Sequence, residues 1–139
     1  MSTPAYQQMV FVNLPVSDLD ASKKFFTELG YSLNPQFSDE NAASVVISDN
    51  IIAMLLTKPF YSTFTKKEIA DATKTSQVMI ALSAESHEKV DELVDRALAA
   101  GGSPANETQD HGFMYGRSFD DLDGHTWEVV WMDPAAVQG

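Results

Sequence analysis

The stretch Met9-Val10-Phe11-Val12-Asn13-Leu14-Pro15-Val16-Ser17-Asp18-Leu19-Asp20-Ala21-Ser22-Lys23-Lys24-Phe25-Phe26 changes period part-way along. Up to Val16 it alternates and is rich in Val and Phe, the signature of a strand. Ser17-Asp18 then supplies short oxygen-bearing side chains that cap the free N–H groups of a helix start. Leu19, Phe25, Phe26 and Leu29 follow at helical spacing, and Gly30 ends the helix. Beyond it, residues 43–47 and 51–57 read as strands around a Ser48-Asp49-Asn50 turn. Residues 31–37 read as a short strand, which Pro35 confines to an edge or an end.

The second half repeats this order. Residues 78–83 read as a strand, and Glu85-Ser86 opens a helix with the apolar stripe Val90, Leu93, Val94, Ala97 and Leu98. Gly101-Gly102 stops it, and residues 103–106 read as a short edge strand. Residues 113–119 and 125–132 read as strands joined by the turn Asp121-Leu122-Asp123-Gly124. Phe11-Val12-Asn13-Leu14 superposes on Met79-Ile80-Ala81-Leu82 at an offset of 68 residues. The expectation is an α+β chain of two βαβββ modules with a longer second helix, forming one domain over residues 1–139. Module 1 covers about 9–58 and module 2 about 77–132. The segment 58–76 between them is a linker or a flap, in which Thr65 and Glu68 have the spacing of a capping box opening a short helix. Residues 133–139 read as a frayed tail.

Composition narrows the function. With 139 residues, 9 Lys+Arg against 20 Asp+Glu, and a net charge of −11, the chain has one core and no basic cluster. Nucleic acid and anionic membranes are therefore poor partners. The absence of cysteine excludes disulfides, thiolate metal sites and a cysteine nucleophile. There is no apolar run of membrane-spanning length. Residues 1–5 carry no basic region followed by an apolar stretch, so no secretory signal is expected, and the location expected is cytoplasmic.

Two stretches carry a resemblance. The run 16–26 is similar to the first strand-to-helix passage of the vicinal oxygen chelate superfamily, the glyoxalase/bleomycin-resistance/extradiol-dioxygenase group. Phe119-Asp120-Asp121-Leu122-Asp123-Gly124-His125-Thr126-Trp127-Glu128 resembles its final hairpin, with Leu122 where proline is common. The resemblance spans about residues 9–133. It implies sheets curving around a shared concave cavity, often completed in a homodimer, on a fold that hosts isomerisation, ring-opening oxygenation, epoxide opening and drug sequestration. Fold alone does not choose among these.

Metal-dependent members place ligands at four strand positions. Carried over by that resemblance, they fall on Phe11, on Met54 or Leu55, on Met79, and on Glu128. Only the last is a donor for a hard or borderline cation, too few for a catalytic divalent site. No cofactor is expected, although a divalent metal on other ligands stays open.

Among the histidines, His87 reads as a solvated helix residue and His125 as structural or exposed. His111 sits in a polar loop, where it is either capped by Asp110 or a candidate for proton transfer. Strand alternation puts Thr126, Glu128 and Val130 on one face and Trp127, Val129 and Trp131 on the other. The tryptophan face packs under the helices and leaves Glu128 on the concave side. Arg117 is expected to reach Glu128 from the facing strand, either as a plain ion pair or with Glu128 as general base and Arg117 orienting an anion. Tyr115 shares the face of Arg117.

The candidate catalytic residues are Glu128 and His111. The candidate ligand-binding residues are Phe11, Asn13, Met54, Met79, Tyr115 and Arg117. The leading reading is a metal-free protein that binds a small organic ligand in an apolar cavity and forms a homodimer. The alternatives are an isomerase, lyase or dioxygenase of the glyoxalase group using Glu128 or an unconventional metal site, and a structural or regulatory dimer with an inert cavity.

Overall fold

The computed structural model describes residues 5–137. The leader and tail expectations fall partly on residues 1–4 and 138–139, which lie outside the described residues. In chain order the elements are β1 (Val10–Val16), α1 (Leu19–Glu28), β2 (Ser32–Leu33), β3 (Ala42–Ser48), β4 (Ile51–Thr57), α2 (Lys58–Tyr61), β5 (Met79–Ser83), α3 (His87–Ala99), β6 (Ser103–Pro104), β7 (Gln109–Asp110), β8 (Met114–Asp120), β9 (Thr126–Met132) and α4 (Pro134–Val137).

The strands form two sheets, β1-β4-β3-β2 and β5-β9-β8-β6, with β7 also pairing with β8. In each sheet the module's first strand runs parallel to its last, and the last runs antiparallel to the one before it. This is βαβββ twice, with α1 of 10 residues and α3 of 13. The chain divides into two compact units, one running up to Thr27 and over Tyr31–Ile69, the other holding Glu28–Gly30 and the chain from Ala70 onward.

In the first unit, Leu14, Val16, Ala43, Val45, Ala53 and Leu55 share one sheet face and are 4% exposed or less. Helix α1 buries Leu19, Ser22, Phe25 and Phe26, and the Asp18 carboxylate accepts the Ala21 N–H at 3.1 Å as the expected cap. The short strand expected over 31–37 ends at Leu33. Pro35 then starts a single 3₁₀ turn, Pro35–Phe37, and the Asn34 side chain accepts the Gln36 N–H at its head.

In the second unit α3 packs on β8 and β9. Ser86 caps it by accepting the Lys89 N–H at 3.1 Å, and Val90, Val94 and Ala97 are buried. The sheet face toward the helix carries Tyr115, Phe119, Trp127 and Val129, all buried. Polar groups fasten helix to sheet as well. Tyr115 Oη donates to Asp91 Oδ1 at 2.6 Å, and Arg117 Nη1 donates to Asp91 at 2.8 Å and to Asp95 at 3.0 Å. The Tyr115 hydroxyl, with Arg117 beside it, holds the Asp91 carboxyl below its ordinary range. The same bond raises Tyr115. His87 is exposed, as expected, and its ring also stacks on Tyr115 with centroids 3.4 Å apart while its Nδ1 lies 3.9 Å from Asp91.

The β8–β9 turn is built on Asp121. Its Oδ2 accepts Trp127 Nε1 at 3.0 Å, and its Oδ1 accepts the backbone N–H groups of Asp123 and His125, each at 3.0 Å. Burial raises the Asp121 pKa, against the pull of His125 and of these donors. Gly124 in this turn has φ +86°, and a Cβ there would lie 2.8 Å from the Thr73 nitrogen and 2.9 Å from the Ala72 carbonyl. The Ala72–Thr73 backbone therefore passes directly against the turn, which glycine alone permits. Upstream, no helix opens at Thr65, because its hydroxyl accepts the Lys67 N–H in a local turn. The helix of this segment is α2, with Pro59 in its first turn. The expected fray also begins later: Asp133 N donates to the Phe113 carbonyl at 2.7 Å, and Asp133 Oδ1 accepts the Ala135 N–H at the head of α4.

Two stability experiments follow from these contacts. Gly112 also has a left-handed φ, +81°, but nothing lies within 4 Å of a Cβ built there. Gly112→Ala should therefore cost about 1 kcal/mol of backbone strain, and Gly124→Ala about 2–3 kcal/mol because the linker must also move. Urea denaturation of both variants measures the difference. Because the folded state holds Asp91 deprotonated more firmly than the unfolded chain does, its stabilisation is present above the ordinary value of 3.8 and is lost as pH falls through the lower folded value. Asp91→Asn should therefore be less stable than the parent near neutral pH, and the gap should close below about pH 4 in the same assay.

Candidate functional site

The cross-strand register decides which candidate residues share a surface. In the second unit Met79 pairs with Thr126, Ala81 with Glu128 and Ser83 with Val130. Across β8 and β9, Ser118 pairs with Glu128, Gly116 with Val130 and Met114 with Met132. Registered partners point to the same side of a sheet. One face of this sheet therefore carries Met79, Ala81, Ser83, Thr126, Glu128, Val130, Met132, Met114, Gly116 and Ser118. Helix α3 covers the opposite face. Met79, Ala81, Ser83 and Met132 are exposed on the open face, and Thr126, Glu128, Val130 and Met114 are half-buried there. The expected split of Glu128 from Trp127 is thus observed.

Arg117 does not meet Glu128. It pairs with Val129, lies on the helix face, and gives its guanidinium to Asp91 and Asp95. Burial opposes its charge, but the two carboxylates outweigh that and hold it above its ordinary value. Tyr115 shares that face and donates to Asp91. The expected Arg117–Glu128 pair is corrected on register: Ser118, not Arg117, stands opposite Glu128. No hydrogen bond or ion pair among the described residues engages the Glu128 carboxylate.

His111 does not join Glu128 either. It occupies the exposed turn between β7 and β8, with its N–H donated to the Met114 carbonyl at 2.9 Å and its Nε2 3.2 Å from Gln109 Oε1. Glu128 pairs four residues further along β8, roughly 13 Å away at strand rise. Asp110 does not cap the ring; its Oδ1 accepts the Gly112 N–H.

In the first unit Phe11 pairs with Ile52, Asn13 with Met54 and Ser44 with Met54, so Phe11, Asn13 and Met54 share one face. Phe11 is 57% exposed, much like Met79 at 56% in the other unit. Leu55 points to the opposite face and is fully buried, which resolves the choice between Met54 and Leu55. The pairing Asn13–Met54 repeats the pairing Ala81–Glu128, so Met54 stands in the first module where Glu128 stands in the second.

The four positions tested for a metal thus hold a phenyl group, two thioethers and one carboxylate. They do not fit a divalent ion, and no His/Cys/Asp/Glu group of three or more among the described residues is placed to hold one. Met114, Met132 and Ser83 also belong to the open face. Counting alternate positions outward from Glu128 and Met79 reaches Met132 and Ser83, whereas Met114 depends on the β8–β9 register. No helix among the described residues is long and apolar enough to cross a membrane.

Comparison with known proteins agrees with this architecture. Residues 8–48 match the family described as bleomycin resistance protein-like N-terminal. A comparison with curated proteins finds no match. Among solved structures, a hypothetical protein from S. aureus, SA1046, is 29% identical with a TM-score of 0.76, over 92% of this chain and 95% of that one. A glyoxalase/bleomycin resistance protein/dioxygenase family enzyme from Burkholderia phytofirmans PsJN superposes at a TM-score of 0.76 with 14% identity, over 91% of this chain and 99% of that one. The fosfomycin resistance protein FosX from Listeria monocytogenes gives a TM-score of 0.65 with 19% identity, over 91% and 92%. The paired βαβββ modules thus have the fold of the glyoxalase/bleomycin resistance/dioxygenase proteins, and residues 8–48 resemble the bleomycin resistance protein-like N-terminal family.

Proposed function

We propose that the protein binds a small organic ligand against the open face of its second sheet and does so without the superfamily's usual divalent metal. The observation that carries this reading is where the methionines fall. Three of the four on strands, Met79, Met114 and Met132, lie on the open face of the second sheet, and the fourth, Met54, is half-buried in the first beside the buried Ile52 and Leu56. The helix-covered face of the second sheet takes rigid side chains instead, among them Tyr115, Phe119, Trp127 and Val129. Methionine is unbranched and polarisable, and it adapts to varied apolar shapes better than branched or aromatic residues do. A flexible apolar surface with a few polar groups, here Ser83, Thr126 and Glu128, is how small-molecule sites are commonly built. Sequestration requires no more than this surface. A cytoplasmic homodimer remains the assembly and location this reading carries.

A second reading, an isomerase or lyase in which Glu128 accepts a proton from the bound ligand, is favoured by that carboxylate standing unengaged on the open face. His111 has no part in it, being placed at the far end of the hairpin.

Fluorescence titration with the neutral dye dansylamide tests the binding reading. Saturable binding is expected, and Met79→Asp should weaken it roughly tenfold by replacing an apolar contact with a hydrated charge. Circular dichroism should be unchanged, because Met79 is exposed. Absence of saturable binding to the parent protein would count against the reading.

A further inference from the structure

We infer that the ligand is a small organic cation, an amine carried on an apolar or aromatic body, and that the open face of the second sheet selects against anions. This rests on the ligand-binding reading above and adds the ligand's charge to it.

The argument is a charge inventory of the surfaces. The nine basic residues are Lys23 and Lys24 in α1, Lys58 in α2, Lys66, Lys67 and Lys74 in the segment after it, Lys89 and Arg96 in α3, and Arg117 in β8. Only Arg117 lies on a strand, and it points to the helix side, where Asp91 and Asp95 take its guanidinium. No lysine or arginine on a strand therefore lies on the Met54 face of the first sheet or the Glu128 face of the second. On the first, the polar side chains are Asn13, Ser32 and the buried Ser44. On the second they are Ser83, Ser103, Gln109, Ser118, Thr126 and two carboxylates, Glu128 and Asp120.

Four of these polar groups are already used, Gln109 Oε1 by His111 Nε2 at 3.2 Å. Ser118 Oγ takes the Asn106 N–H at 2.7 Å, and Asp120 Oδ1 accepts the Thr126 hydroxyl at 2.6 Å. Glu128 is left as an ionisable group with no partner among the described residues. It stands in the central strand β9, beside Ala81 on one side and Ser118 on the other, with Met79, Met114 and Met132 on the same face. Small neighbours leave its carboxylate approachable, and the thioethers supply apolar contact and weak acceptor sulfurs. An anion brought there meets like charge and only neutral donors, hydroxyls and the Gln109 amide at the sheet's far end. An ammonium meets a carboxylate whose hydrogen bonds are unmade. Net charge of −11 adds a long-range field of the same sign.

The experiment uses three dyes with one fluorophore and three charges: dansylcadaverine (ammonium), dansylamide (neutral) and dansylglycine (carboxylate). Dansylcadaverine should bind about three- to fivefold tighter than dansylamide, the scale of a partly exposed ion pair, and dansylglycine weakest of the three. The cadaverine-to-amide ratio should fall toward one in Glu128→Gln and on raising salt from about 20 to about 500 mM. It should persist in Glu40→Gln, which removes an exposed charge elsewhere. Met79→Lys, at the exposed start of β5, is an independent arm and should turn the preference toward dansylglycine whether or not Glu128→Gln folds.

Saturable dansylamide binding with dansylcadaverine no tighter, or dansylglycine equal or tighter, overturns the inferred charge while leaving the ligand reading standing. A ratio that survives in folded Glu128→Gln does the same, because it assigns the preference to the surface as a whole. Failure of all three dyes to bind overturns both.

Discussion

The indole of Trp127 is held from two directions, and the two faces of the second sheet depend on it. Its Nε1 donates to the buried Asp121 carboxylate, and its ring lies parallel to Phe119, with centroids 6.4 Å apart and planes 5° from each other. Phe119 and Trp127 are registered partners in β8 and β9. A slip of β9 by one residue would turn the indole to the open side away from Phe119, strip Asp121 of its indole donor, and bring Glu128 under α3. Burying that carboxylate among Val90, Val94 and Ala97 without a partner would cost several kcal/mol. The two errors reinforce each other, so the register is strongly specified, and the exposure of Glu128 follows from the anchoring of its neighbour.

That dependence marks which parts of the site were legible in the sequence. Alternation within a strand separates Glu128 from Trp127 and joins Tyr115 to Arg117, because successive side chains point to opposite faces. It does not say how two strands align with each other. The expected Arg117–Glu128 pair required one specific register, and the observed one sets Arg117 beside Val129. The partners Arg117 does find, Asp91 and Asp95, lie one helical turn apart on α3, at the margin of an apolar stripe made of Val90, Val94 and Ala97. The helix pattern displayed that stripe plainly, but not which polar residues at its border would reach down to the sheet. The module order and most strands were readable because they rest on local periodicity. The Thr65 cap was not realised because its hydroxyl can serve a turn as readily as a helix, and the hydrogen bond to Lys67 shows which use it took.

The internal duplication sharpens the meaning of Glu128. Parallel pairing of each module's first and last strands sets Asn13 against Met54 in one and Ala81 against Glu128 in the other. Equivalent positions thus hold a thioether in one module and a carboxylate in the other, while Phe11 and Met79 occupy the equivalent edge positions. A divalent centre needs several hard or borderline donors converging on one point. The phenyl and thioether groups at Phe11, Met54 and Met79 offer no such donors and are suited to apolar contact. Among the described residues no base pairs with the Glu128 carboxylate. Its unmet hydrogen-bonding capacity, set in a surface of thioethers, is what ties the inferred charge of the ligand to the chemistry of these positions.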